Sequence, residues 1–318
     1  MKILPALVGC AEPYYNLHMR PFITFLCMLL AFTLAGCAAS GASGAENSAP
    51  LVSLQNKGSD TMVNLALAWA EAYQAVAPQV SVSVTGGGSG TGITALANGT
   101  VDIANASRAI KEEEIAAMQA SGVDPVEFVV ARDAIAVIVN PHNPVDRLTL
   151  PQISAIYSGE IANWRQVGGE DRPIVRLSRE TNSGTHVYFL EEVLRLGDPD
   201  RPVFFSPDTL LLPSSEGITA EVRDNPNAIG YDGLGYVVPE VKVLAIAATP
   251  GGEYYYPSVA TVNDLTYPIA RDLYMYTAGP PSPVEQAYLD WILSAPAQEI
   301  VASLGFVPVL AASTAAVP

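Results

Sequence analysis

Apolar positions along this chain switch repeatedly between a two-residue and a helical repeat. Val80, Val82 and Val84 alternate with Ser81 and Ser83, which predicts a strand with one buried face. Ile93, Leu96 and Ala97 follow with helical spacing and stop at Asn98-Gly99. A glycine-rich turn, Thr85 to Gly92, joins the two. The same succession recurs from Leu51 onward. Met62, Leu65, Trp69, Tyr73 and Val76 share one helical face behind Gly58-Ser59-Asp60-Thr61, and Val101 to Ala104 is an apolar strand leading into Ser107-Arg108. Lys111 to Ala120 predicts a helix with Ile115 and Met118 inward. Glu127 to Val130 and Ala134 to Asn140 predict two strands. Thr149 caps a helix with Pro151 in its first turn and Gly159 at its end.

Further along, Arg172 to Arg176 reads as a strand and His186 to Leu194 as a helix. Asp198 to Pro213, with four prolines, reads as a surface excursion. Ala228 to Val238, Val241 to Ala245 and Asp272 to Thr277 predict strands, and Val284 to Leu293 and Ala297 to Leu304 predict helices. Strands alternating with helices predict an α/β fold with a largely parallel sheet.

The first 37 residues carry a different pattern. Met19-Arg20 supplies a short positive start, Phe22 to Thr33 an apolar stretch, and Leu34-Ala35-Gly36-Cys37 the lipobox of bacterial lipoproteins. The span from Pro21 to Gly36 is shorter than the roughly 20 residues a spanning helix needs, which favours a cleaved signal over a membrane anchor helix. Residues 1–37 are therefore expected to be a signal peptide with Met19 as its true start, with lipid attached at Cys37. Residues 38–50, rich in Ala, Ser and Gly, are expected to be a flexible tether.

Composition narrows the function. The net charge of −16, from 16 Lys+Arg and 32 Asp+Glu, excludes nucleic acid as a partner, because binding a phosphate backbone needs clustered cations. Affinity for any small anion must then come from local donors in a desolvated site. All three cysteines, Cys10, Cys27 and Cys37, fall in the leading segment, so the mature chain is expected to hold no disulfide or thiolate metal site. No metal-ligand spacing, nucleotide loop or Gly-x-Ser-x-Gly elbow occurs, so neither a metal, a cofactor nor an enzyme activity is expected.

Local donors are plentiful. Ser89 and Thr91 stand on the glycine turn where a helix begins, and the first N–H groups of a helix lack partners of their own. Ser59, Thr61, Ser107, Ser183 and Thr185 repeat this hydroxyl chemistry elsewhere, with Arg108 and Arg179 beside two of the sites. Single hydroxyl caps are ordinary helix starts. Their repetition with arginines points to oxyanion binding.

In order, Gly58-Ser59-Asp60-Thr61, Gly86 to Gly92, Val101 to Arg108, Gly159 to Trp164, Arg179 to Thr185, Ala228 to Tyr231 and Gly305 to Pro308 resemble the phosphate-binding proteins of bacterial phosphate ABC importers. The resemblance covers roughly residues 51 to 310. It implies a two-lobed fold of the type II periplasmic-binding-protein kind, each lobe a mixed sheet flanked by helices, with the ligand in the cleft between them. Residues 51–131 with 268–318 would form one lobe and 132–267 the other. It also implies an extracytoplasmic monomer that passes inorganic phosphate to the permease subunits of an ABC transporter. The implied phosphate ligands are Ser59, Thr61, Ser89, Gly90, Thr91, Ser107 and Arg108 from the first lobe and Arg179, Ser183, Gly184 and Thr185 from the second. Many family members place an aspartate where this chain has Ser107, and that carboxylate accepts the proton of phosphate. Here Asp60, with Asp232 as second choice, is expected to stand in. Two other readings follow: a receptor for another tetrahedral oxyanion such as sulfate, and a secreted phosphohydrolase.

Overall fold

The computed structural model describes residues 51–309; the signal segment, Cys37 and the tether lie outside the described residues. Eleven strands appear in chain order: β1 Val52–Gly58, β2 Val80–Thr85, β3 Ile103–Ala106, β4 Val126–Val139, β5 Arg147–Thr149, β6 Val175–Arg179, β7 Leu210–Leu212, β8 Ala228–Gly233, β9 Lys242–Val243, β10 Ala245–Ala247 and β11 Ala270–Thr277. Nine of them join one curled sheet in the order β2-β1-β3-β11-β4-β8-β6-β7, with β9 beside β4; β5 and β10 form a separate parallel pair.

The sheet is mixed rather than largely parallel. β1 runs parallel to β2 and β3, and β6 runs parallel to β7 and β8. β4 and β11 run against their neighbours. The expectation of parallel pairing failed because β11 comes from the far end of the chain, 270–277, and inserts between β3 and β4. Short-range alternation of strand and helix carries no information about such an insertion.

β4 corrects a second expectation. In place of two strands there is one of 14 residues, which pairs with β11 along its first part and with β8 along its second. It links two hydrophobic cores. Leu54, Trp69, Val130, Leu273 and Tyr288 pack in one; Val137, Ile153, Phe189, Tyr231 and Ile246 pack in the other. From Val130 to Val139 nearly every residue of β4 is buried, including Asp133, because elements cover both faces of the strand. Each fully buried large apolar side chain contributes about 1.5–3 kcal/mol.

Helices match the apolar periodicity, with local corrections. The α-helix of the first face spans Val63–Val76, preceded by a 3₁₀ turn Asp60–Met62; Met62, Leu65, Trp69 and Tyr73 are buried, but Val76 is exposed. Thr149 caps Leu150–Ser158 through the Gln152 N–H, and Gly159 closes that helix at φ 91°. The strand expected at 101–104 lies at 103–106, and that at 172–176 lies at 175–179. Leu210–Leu212, inside the expected surface excursion, pairs with β6. The helix expected to start at His186 begins at Gly184 and continues from Phe189 to Leu194 as a π-helical turn. Among the described residues no helix is long and apolar enough to cross a membrane.

Candidate functional site

The strand ends deliver hydroxyls to one place. β1 stops at Gly58, whose positive φ of 148° brings it against the end of β3; a Cβ there would stand 2.1 Å from the Asn105 carbonyl oxygen. Only glycine allows that approach. The chain then turns through Ser59, Asp60 and Thr61. β2 ends in the glycine loop, and the helix Ser89–Ala97 starts after Gly88, at φ 90°. β3 is followed directly by Ser107, whose N–H donates to Ser89 Oγ at 3.0 Å; the two hydroxyls are 3.3 Å apart. From the other core, β6 ends in Arg179, and Ser183 caps the following helix by accepting the Thr185 N–H at 3.2 Å.

These groups meet. Thr61 Oγ1 and Thr185 Oγ1 share a hydrogen bond of 2.7 Å across 124 positions. A Cβ added to Gly184 would sit 2.3 Å from Ser89 Oγ and 2.6 Å from Ser107 Oγ. Arg179 is fully buried. Its Nη1 donates to Ser215 Oγ at 2.8 Å, and its Nη2 donates to Asp60 Oδ2 at 2.9 Å and to the Pro213 carbonyl at 2.8 Å. Asp60 Oδ1 accepts the Gly87 N–H at 2.8 Å. Ser59 Oγ and Arg179 Nε are buried without a partner among the described residues. Buried polar groups normally find partners, so these two unpartnered donors mark the region as a candidate ligand site.

Not every expected residue joins the cluster. Arg108 turns to Glu114, donating from Nη1 and Nη2 at 2.7 Å each. Burial works against the Glu114 carboxylate, yet the Arg108 guanidinium and the Lys111 N–H hold it below its usual range. This bidentate pair engages both Nη groups, while Arg108 Nε is buried without a partner among the described residues. Gly90 and Thr91 face Asn182: the Gly90 N–H donates to the Asn182 carbonyl at 3.2 Å, and Asn182 Nδ2 lies 3.5 Å from Thr91 Oγ1. Ser59 stands at the N-cap position without making a side-chain cap. His186 is structural: Nδ1 bonds Ser178 Oγ at 3.0 Å and the ring stacks on Phe205.

Sequence reasoning missed Arg271. It lies on β11 with both Nε and Nη2 on Asp133 Oδ2, at 3.2 and 2.9 Å, while Nη2 also reaches Thr185 Oγ1 at 2.9 Å. One signal was present: Arg132-Asp133 and Arg271-Asp272 each set two adjacent charges in a largely apolar strand, where successive side chains point to opposite faces, so one charge of each pair must turn inward. Such charges are rarely buried unless paired. Asn182, Ser215 and Tyr236, whose hydroxyl donates to the Asp60 carbonyl at 2.8 Å, were likewise not singled out. A cavity of about 630 Å³ opens beside Arg271, lined by Arg108, Lys111, Tyr188 and Glu191 among others. Lys111 and Glu191 pair across it at 3.3 Å.

Asp232 lies behind this cluster, fully buried. Its Oδ1 accepts from Ser215 Oγ and the Gly233 N–H, both at 2.8 Å. Burial pushes its carboxyl up to about 6, with Arg179 pulling the other way.

With this geometry in place, likeness to known proteins becomes informative. Residues 43–296 match the model of the PBP superfamily domain. The chain is 33% identical over 287 residues to the phosphate-binding protein PstS of Pseudomonas aeruginosa, covering 85% of this chain and 84% of that protein. It is 29% identical over 300 residues to PstS of Bacillus subtilis, covering 90% and 94%. Among solved structures, a substrate-binding protein with bound phosphate from Clostridium perfringens superposes with a TM-score of 0.71 at 32% identity, covering 81% of this chain and 99% of that one. An ABC-type phosphate transport receptor from Vibrio cholerae superposes with a TM-score of 0.64 at 28% identity, covering 80% and 99%.

Proposed function

Because the chain belongs to the phosphate-binding solute-binding proteins of the PBP superfamily, we propose that it captures inorganic phosphate and delivers it to an ABC permease. The observation that carries this reading is the cluster itself. Thr61, Ser89 and Ser107 meet Gly184 and Thr185, with Arg179 as a buried cation anchored to Asp60. Hydroxyls, helix-start N–H groups and one guanidinium can replace the water of a small oxyanion in a chain whose global charge repels anions.

Asp60 supplies the discrimination that Ser107 lacks. Each carboxylate oxygen already accepts one hydrogen bond, and each retains a second lone pair able to accept the O–H of protonated phosphate. Sulfate carries no proton at neutral pH and would meet those lone pairs with its own. The residues on either side of the cluster act as two lobes, 51–131 with 268–318 and 132–267, joined through β4 and the segment entering β11. Closure of the lobes around the anion does the work, with no covalent chemistry. No group of three His, Cys, Asp or Glu able to hold a metal occurs among the described residues. The Ser178–His186 contact is buried, with Ser178 Oγ also bonded to the Tyr231 hydroxyl at 2.6 Å, which favours a structural over a hydrolytic role.

The protein is extracytoplasmic in this reading, held to the membrane by lipid on Cys37, and works as a monomer. Calorimetric titration with phosphate and with sulfate tests the central point. Heat-releasing binding of phosphate that excess sulfate does not displace is expected. Displacement by sulfate at comparable concentration would overturn phosphate as the cargo.

A further inference from the structure

We infer that Arg271 is a positioning residue of the anion site: it turns the Thr61–Thr185 hydroxyl pair into a donor aimed at the bound anion. The inference rests on the phosphate reading above. The observation behind it is the direction of hydrogen bonding. A hydroxyl carries one proton and can accept as well as donate. Left alone, the two threonines, 2.7 Å apart, could present either a proton or a lone pair to a ligand.

Arg271 removes that choice. A guanidinium only donates. Its Nη2 donates to Thr185 Oγ1 at 2.9 Å and stands 3.4 Å from Thr61 Oγ1. With the lone pairs on this side of the pair occupied, one threonine proton bonds the other threonine and the second proton is left to point away from Arg271. An anion rewards that polarity, whereas a cation or a hydrogen-bond donor does not.

The guanidinium is itself held from every side. Nε and Nη2 are fixed by Asp133, and Nη1 donates to the Ser107 carbonyl at 2.9 Å. Arg271 and Asp133 are directly opposite each other on β11 and β4, the strands shared by the two halves of the sheet. The same side chain therefore touches Thr61 and Ser107 from one proposed lobe and Thr185 from the other. Both it and Asp133 are buried, so the pair is unscreened by solvent.

A double-mutant cycle tests this. Arg271→Lys keeps a cation opposite Asp133, but a single ammonium cannot span Asp133, the Ser107 carbonyl and Thr185 together. Phosphate affinity of this variant is expected to fall about tenfold or more, the scale of one lost hydrogen bond to a charged group. In a Thr185→Val background the same substitution should cost clearly less, because the hydroxyl it orients is gone. An equal loss in both backgrounds would show a general structural or charge effect and overturn the assignment. So would an unchanged affinity.

Loss of a buried charge partner can prevent folding, so a second variant leaves the Arg271–Asp133 pair intact. Thr61→Val combined with Thr185→Val is expected to weaken phosphate binding by about tenfold or more with circular dichroism unchanged. Wild-type affinity in that variant would overturn the inference. Failure of the wild-type protein to bind phosphate would overturn the phosphate reading and this inference together, whereas wild-type binding with insensitive variants overturns the inference alone.

Discussion

Arg179 and Asp60, 119 positions apart in the chain, form an ion pair of 2.9 Å between the turn after β1 and the end of β6. Arg179 is almost wholly enclosed and Asp60 is partly open. Desolvation offsets most of the attraction in such a pair, so it is weak evidence for stability and better understood as a device for the site. The arginine supplies charge, and the carboxylate keeps it oriented while retaining its acceptor capacity.

Asp60→Asn therefore separates affinity from selectivity. The amide keeps the shape but replaces one acceptor oxygen with a donor nitrogen. In competition titrations across roughly pH 5 to 9, wild type is expected to prefer phosphate throughout. The variant is expected to lose that preference by about tenfold or more, the cost of one unmatched charged hydrogen bond. An unaltered phosphate-to-sulfate ratio would remove Asp60 from the selectivity account.

Gly184→Ala should abolish high-affinity binding while the protein stays folded. Its Cβ would fall within 2.6 Å of both Ser89 Oγ and Ser107 Oγ, which must separate to admit it. Gly90→Ala is the matched control, since its Cβ would meet Asn182 at 3.6 Å, an ordinary contact. Calorimetry on the pair checks this, and similar affinities for both would show that the lobes need not approach so closely.

Asp232 predicts a pH dependence of stability. Its carboxyl is pushed up to about 6 by burial, against the pull of Arg179, and would titrate near 3.9 in the unfolded chain. Between roughly pH 4 and 6 the folded protein holds a proton that the unfolded chain has released, so this group's contribution to stability falls as pH rises. Asp232→Asn removes the titration. The melting temperature of the variant minus that of wild type should rise from roughly pH 4.5 to pH 7, and a flat difference would place the Asp232 carboxyl in its ordinary range.

Cys37→Ser tests the anchor. If lipid on this thiol holds the protein, the variant should appear in the soluble fraction with unchanged phosphate affinity. Retention of the variant in membranes would mean that another segment anchors the chain.

The sequence by itself determined whatever depends on near neighbours. Thr149 and Gln152 specify their capping box within four residues, and Gly159 needs only its own freedom of φ to close that helix. The hydroxyl-bearing turns after β1, β2, β3 and β6 were legible for the same reason, since strand, glycine and cap are local signals. Their meeting was not. Whether an arginine faces a ligand or a carboxylate depends on what folds against it. Arg108 found Glu114 only six residues away, whereas Arg271 came to Thr185 because β11 inserts between β3 and β4. Charge pairing acts through space and is indifferent to separation along the chain, so the 138 positions between Asp133 and Arg271 left no periodicity to read. Tertiary structure alone decided which partner each arginine meets.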